Sequence, residues 1–595
     1  MSIIRNPFVD YLNKYTTASP DHEAAFDEFV AHTPPPPSGP LRFQTKVEKF
    51  LRIRFAESRP PSIILTGNAG DGKTFLCRQI IQIFTARHID DWEELVEEPL
   101  ERHGIRLYVI KDLSELSEEE GRSVLNRLEQ TLNSESSDRY LIAANEGRLR
   151  DLLTRVQTPK LTESIKTQLQ YGIESGSTSL VVIDLTKVTT SAFVPETLRW
   201  MTSNIHWQVC TDCPIIERCP LHYNVRTLRD ERVVRRVQFL YDLLEHLDIH
   251  VTVRDMLIHL AFTLTGNQSC PELQRLDAED ADRHHLVYYE NIWGGSENSP
   301  FRRKASVVQH LDRLQIGKHS IFEIDDFIIN GGDHPDQTIV HAQLFTPAVD
   351  LDFKRFEQER RAYIEGGAEK QTGEETQAFL EWLPHCRRKL FFESPDEQQA
   401  NELITFRYLN TYRQLLTNKH KPTDSIRHRL ILGLNRAFAR LYLTFDDILY
   451  VTSQYLHSAE QPRPLVRLEI PANGIGLSID DREEQAFDRR WADLYIHFSP
   501  PPELHLRWTK DALKPQRWRL NLLVFEYLLR LADGGTFNVL ADECELSIRS
   551  LKDRLLSEFA HETTNTRIRF FVAEQQQYVL KTIYLDEKGI IRAGG

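Results

Sequence analysis

Ser62-Ile-Ile-Leu-Thr-Gly67-Asn68-Ala69-Gly70-Asp71-Gly72-Lys73-Thr74 is the stretch on which the reading of this chain turns. A short apolar run reads as a strand, and Gly67–Thr74 satisfies G-x-x-x-x-G-K-[ST]. An amphipathic helix from Lys73 to about Ala86 follows. The glycines let backbone N–H groups of Gly67, Asn68, Ala69, Gly70, Asp71 and Gly72 turn inward around an anion, where a Cβ would block the curve. Lys73 then reaches the β- and γ-phosphates of a nucleotide, and the Thr74 hydroxyl ligates Mg²⁺. The helix adds its positive N-terminal end to the same site. A glycine turn carrying Lys-Thr by coincidence would not need a strand before it and a helix after it.

Outward from this loop, short apolar runs recur at Ile105–Ile110, Tyr140–Ala144 and Leu180–Ile183, with polar helical sequence between them. Strands alternating with helices predict a parallel sheet covered on both faces. A phosphate loop needs an acid on a nearby strand to hold the metal's water shell. Asp112 and Asp184 both end strands, and Asp112 is preferred because the next strand ends in Asn145. An Asn at that tip suits a sensor of the γ-phosphate and its attacking water. The competing reading of each acid is a helix N-cap. No Asp-Glu pair occurs at either strand, so Glu115 and Glu146 are the nearest candidates for a water-polarising base. No Asn-Lys-x-Asp motif supports GTP over ATP.

Beyond Ser191 the strand rhythm stops. Cys210-x2-Cys213-x5-Cys219-Pro220-x-His222 places three of the chain's seven cysteines within ten residues. A C-x-x-C turn presents two thiolates to one metal, and Cys219 with His222 closes a tetrahedral Zn²⁺ site. Cys270 competes with His222 as fourth ligand, and an iron–sulfur cluster becomes the alternative if Cys270 is the ligand. Unliganded buried thiols are the competing reading. Helical sequence runs from Glu231 to Leu264, and within it Arg254 is placed to reach the γ-phosphate from a helical lid.

The remaining composition bounds the class. The chain has 595 residues, about four domains at ordinary size, with 41% apolar and 27% charged residues. Lys plus Arg total 73 against 87 Asp plus Glu, a net charge of −14, which argues against coating nucleic acid by bulk charge. No apolar run is long enough to span a bilayer, no signal pattern opens the chain, and the few unevenly spaced cysteines fit a reducing cytoplasm. Pro34–Pro37 reads as an extended spacer. Near the end, an amphipathic helix over Leu520–Leu531 is stopped by Gly534-Gly535. Two short helices, Val539–Cys544 and Ile548–Phe559, and a hairpin over Arg567–Tyr584 follow, the order of a winged helix. Arg549, Lys552 and Arg554 decorate its second short helix and could contact phosphates, with protein docking as the other use.

These motifs give an α/β chain with an arm or linker over 1–40, a P-loop (AAA-like) ATPase core over 41–200 and a Cys/His metal knot over 201–230. A helical lid over 231–330, a mixed α/β or helical middle over 331–480 and a winged-helix-like domain over 481–595 complete it. As an ordered set, Gly67–Thr74, Lys111-Asp112-Leu-Ser-Glu115, Ala143-Ala-Asn145-Glu146-Gly147, the cysteine cluster with Asn224, Thr252-Val-Arg254-Asp and Gly433–Phe438 resemble a known family. It is that of prokaryotic defence ATPases of the DptF type, associated with DNA phosphorothioation-dependent restriction. The resemblance covers most of residues 60–270 and is patchy beyond. It implies an ATPase acting with partner subunits, one of them a nuclease, on DNA bound directly or through those partners, in an antiviral restriction response. A homo-oligomer is compatible with it. A non-hydrolysing scaffold that uses ATP as a structural ligand, and a DNA-binding regulator, are the alternatives.

Overall fold

The computed structural model describes residues 4–17, 36–85, 99–134, 136–156, 158–171, 179–275, 286–366, 374–417, 424–453, 464–480, 490–499, 516–536, 540–559, 567–585 and 591–594. Two compact units share the chain. The first comprises residues 1–245, 249–405 and 482–490, and the second residues 246–248, 406–481 and 491–595.

The first unit holds a mixed α/β layer structure. Its chain runs α1 (Pro7–Thr17), α2 (Lys46–Phe55), β1 (Ser62–Thr66), α3 (Lys73–Thr85), β2 (Leu100–Arg102) and β3 (Ile105–Ile110). It continues through α4 (Glu118–Leu132), β4 (Asp138–Ala144), α5 (Glu146–Arg155), α6 (Pro159–Tyr171) and β5 (Leu180–Asp184). The strands form one sheet in the order β2-β3-β4-β1-β5. β1 pairs in parallel with both β4 and β5, and β3 pairs in parallel with β4. β2, absent from the sequence expectation, is a short antiparallel edge on β3.

Every residue of β1 is buried, as a central strand covered on both faces requires. Alternation sorts the side chains into two cores. Ile63, Leu65, Leu141, Ala143, Val181 and Ile183 pack with α2 and α3. Ile64, Tyr140, Ile142, Ala144, Leu180 and Val182 pack on the other face with α4, α5 and α6. α4 is started by a reciprocal capping box between Ser117 and Glu120.

After β5 the first unit is helical, with α7 (Val194–Met201), α8 (Pro220–Thr227), α9 (Glu231–His246), α10 (Val253–Thr265), α11 (Cys270–Arg275) and, further on, α12 (Glu374–Glu393). The N-terminal arm differs from its sequence expectation. Residues 7–17 form a buried-faced helix, with Phe8, Val9, Leu12 and Tyr15 inside. Pro34 and Pro35 lie outside the described residues, and Pro36–Gly39 close a turn in which Gly39 N–H donates to Pro36 O at 2.8 Å. Apolar residues at positions 8, 9, 12 and 15 follow helical spacing, a signal the proline run overshadowed.

The second unit contains α13 (Asp424–Ala439), β6 (Ile448–Thr452), β7 (Leu465–Pro471), β8 (Ile475–Asp480), β9 (Asp493–Phe498) and β10 (Gln516–Arg519). α14 (Leu522–Ala532), α15 (Ala541–Phe559), β11 (Arg567–Glu574), β12 (Gln577–Leu585) and β13 (Ile591–Gly594) follow. One sheet has the order β13-β12-β11-β7-β6 and a second β10-β9-β8. The expected hairpin is present as β11 and β12. The two expected short helices are instead one helix of 19 residues. The division anticipated at residue 480 falls inside this unit, because α13 packs closely on α14. A Cβ on Gly433 would meet the Leu528 carbonyl oxygen inside contact distance. Asn435 bonds Phe445 O, Ile448 O and Tyr450 N–H, and Arg436 bonds Leu443 O and Leu531 O. Gly433–Phe438 is thus a packing segment. Among the described residues no helix is long and apolar enough to cross a membrane.

Candidate functional site

The carboxyl ends of parallel strands, where the order doubles back, are where an open α/β sheet holds its ligands. The glycine loop leaves β1 there. Gly70 and Gly72 have φ of +93° and +83°, a region L side chains enter only at a cost. Lys73 is buried and its ammonium donates to the carbonyl oxygens of Gly67 and Asn68 at 3.0 and 2.7 Å. The loop therefore curls around the head of its own lysine. Thr74 follows in the first turn of α3 and is partly exposed.

The start of α10 lies against this loop. Arg254 N–H donates to Gly70 O at 3.3 Å. A Cβ on Gly70 would stand 2.8 Å from Thr252 Oγ1 and 3.0 Å from Arg254 Cβ. Thr252 caps α10 by accepting from Asp255 N–H. The structure thus brings Arg254, nearly two hundred residues downstream, to the glycine loop. A second brace was not foreseen. Asp71 accepts from Asn68 N–H through one oxygen at 2.7 Å and holds His250 Nε2 through the other at 2.7 Å. The acid between two glycines was the available signal, but its partner is visible only once α10 is folded back.

Register levels the remaining candidates. Thr66 pairs with Ala144 on one side and Asp184 on the other. Asn145 therefore stands one residue past the end of β4, beside the start of the glycine loop. Leu113 N–H donates to Ala143 O at 2.8 Å, which holds Asp112 next to the end of β4. Asp112 accepts from Ser114 N–H, and Asn145 Oδ1 caps α5 by accepting from Gly147 N–H. A cap uses the carbonyl oxygen of Asn145, so its NH₂ donors remain for an acceptor. Asp184 accepts from Thr186 N–H and Oγ1 and caps a short 3₁₀ turn. Glu146 is paired with Arg150 at 2.5 Å, while Glu115 is exposed in the turn after β3.

The cysteine segment gathers elsewhere in the first unit. Cys210, Cys213, Cys219, Cys270 and His222 line one small cavity together with Asn6. Among the described residues no group of three or more His, Cys, Asp or Glu side chains is arranged to hold a single metal ion. Burial pushes the Cys219 thiol up to about 11, against the opposing pull of the His222 and Leu221 N–H groups. Burial also raises Cys210 and Cys270. Asn6, another residue not singled out from sequence, is buried and reaches two of these sulfurs. Asn224 bonds Leu264 O, Leu286 O and Tyr288 N–H, tying α8 to the end of α10. Cys77, Cys386 and Cys544 are buried singly, as core residues. Comparison with protein-family models, curated proteins and solved structures finds no match for this chain.

Proposed function

We propose that the chain is an ATPase that binds ATP and Mg²⁺ at Gly67–Thr74. The observation that carries this reading is the convergence on one loop of Lys73, two strand-end polar residues and the capped start of α10. Lys73 exchanges its own loop carbonyls for phosphate oxygens, and Thr74 ligates the metal. Asp112 holds the metal's water shell, Asn145 donates toward the γ-phosphate and the attacking water, and Arg254 meets developing charge from above. Asp184, whose Oδ1 already takes two bonds from Thr186 against one from Ser114 to Asp112, is the second candidate for the metal. Glu115 rather than Glu146 is the better base, because Glu146 is already neutralised by Arg150.

The resemblance to DptF-type ATPases extends this to a cytoplasmic subunit of a DNA-restriction complex, coupling nucleotide state to a partner nuclease. The absent Asp-Glu pair favours a second reading, a scaffold that binds ATP without turning it over. Steady-state hydrolysis by wild type, Lys73→Ala and Arg254→Ala, with and without DNA, tests both. The ATPase reading expects turnover in wild type and its loss in both variants. Turnover unchanged in Lys73→Ala overturns the site, and none in any wild-type condition favours the scaffold. A winged-helix role for α14–β12 remains a proposal for DNA or protein docking. Burial and the neighbouring Arg440 and Arg549 cations depress the Lys552 ammonium, and Arg554 bonds Gln516.

A further inference from the structure

Four cysteines from two segments of the chain converge on one cavity. Cys210 and Cys213 lie in and after a 3₁₀ turn, Cys219 caps α8 and Cys270 begins α11. All four line the same cavity, against Asn6 just before α1. His222 also lines the cavity, but Asn6 bonds both Cys210 and Cys270 and so sets those two sulfurs about one residue. The fourth donor of the set is taken as Cys270.

Four sulfurs on a single Zn²⁺ must crowd to within about 4 Å of each other, since each Zn–S bond is only about 2.3 Å. No such closed group occurs among the described residues. On a four-iron cluster each sulfur meets a different iron, so the sulfurs stand further apart around a cavity. Apart from Asn6, His222 and Gln274, the remaining lining is apolar, with Val9, Trp207, Ile215, Leu221 and Leu273 among it, which suits a cofactor that must be kept from water. Cys213, Cys219 and Cys270 are each followed by a proline, the sequence habit of cluster-binding cysteines.

Hydrogen bonds to sulfur complete the cradle. Asn6 N–H donates to Cys270 Sγ at 3.5 Å, and its Nδ2 donates to Cys210 Sγ at 3.4 Å. The N–H groups of Leu221 and His222 point to Cys219. Such donors neutralise thiolate charge without occupying a metal position.

We propose that Cys210, Cys213, Cys219 and Cys270 hold a [4Fe–4S] cluster, with Asn6 as its outer hydrogen-bond donor. Each thiol loses its proton as its sulfur bonds one iron. The cluster fastens α1, the 210–219 turns and α11 to one another, and the site is independent of whether the chain hydrolyses ATP.

The test is iron and acid-labile sulfide analysis of the full chain purified without oxygen, with its visible absorption before and after dithionite. About four iron and four sulfide per chain, with a broad visible band bleached by reduction, is expected. Cys270→Ser should lose most of the iron, His222→Ala should keep it, and Asn6→Ala should keep it with a shifted reduction potential. One zinc per wild-type chain without sulfide overturns the cluster, as does a wild-type chain free of both metals. Iron lost in His222→Ala but kept in Cys270→Ser overturns the ligand set.

Discussion

The glycine loop and the cysteine cavity are built in opposite ways within one unit. The loop is built from eight consecutive residues, and its shape follows from local backbone freedom at Gly70 and Gly72. The cavity draws its sulfurs from residues 210 to 270 and its hydrogen-bond donor from Asn6, some two hundred residues earlier. A contiguous site can lose one side chain and keep its fold. An assembled site loses stability with each such side chain, because its residues are also the fastening between segments.

That difference predicts different failures. Lys73→Ala removes the charge proposed to meet phosphate, which in the folded loop bonds the Gly67 and Asn68 carbonyls. Turnover should fall about 10²–10³-fold, the scale of losing one preorganised charge or donor, with the melting temperature little changed. Loss of the fold in that variant would contradict the contrast. Asn6→Ala should do the reverse. Its side chain donates to His206 O and Cys210 Sγ and accepts from Phe8 N–H, all in a buried setting. Removing it costs roughly 1–3 kcal/mol. Chemical denaturation and proteolysis near α1 should register the loss while nucleotide turnover does not.

Asp71→Ala probes the one place where the contiguous site borrows from afar. The carboxylate joins Asn68 N–H to His250, and a charge-assisted bond contributes about 1.5 kcal/mol or more. Mg²⁺-ATP affinity should weaken about tenfold, as read by titration calorimetry, with the cysteine cavity unaffected. The smallest effect is a pH dependence in α10. His259 is fully buried between the Tyr241 hydroxyl at 2.7 Å and Ile292 O at 2.8 Å. Burial holds its imidazole down at about 4, against the opposing pull of the Ile292 carbonyl. Because the folded value lies below the ordinary 6.5 of the unfolded chain, stability from neutral His259 is complete above 6.5. It is lost as pH falls from 6.5 through about 4. The stability gap between wild type and His259→Gln should narrow across that window in denaturant titrations.

Legibility in sequence followed the same division. β1, the glycine loop, α3, β3, β4 and β5 carry local signals: apolar runs, glycines and a period of 3.6, all read within a dozen residues. Asp112 and Asn145 were legible as strand ends, though only the register of β1 with β4 sets them beside the loop. Arg254 could be named, but the closeness of Gly70 to Thr252 could not, since it depends on how α10 returns across the loop. His250 and Asn6 carried no local mark at all. α1 was hidden by the proline run that follows it. The single helix α15 runs through the gap between the two expected short helices, where Leu546 lies exposed on its surface, so no apolar residue on the buried face marks the join. α13 belongs with α14 through the Gly433 crossing, a contact between residues almost a hundred apart, and no spacing rule reaches that far.

The most direct test of the central claim is Mg²⁺-ATP binding to the full chain, titrated side by side with Lys73→Ala. The account predicts one site per chain in wild type and at least a hundredfold weaker binding in the variant, about 2.7 kcal/mol. Equal affinity in the two proteins, or no binding in wild type, would contradict it.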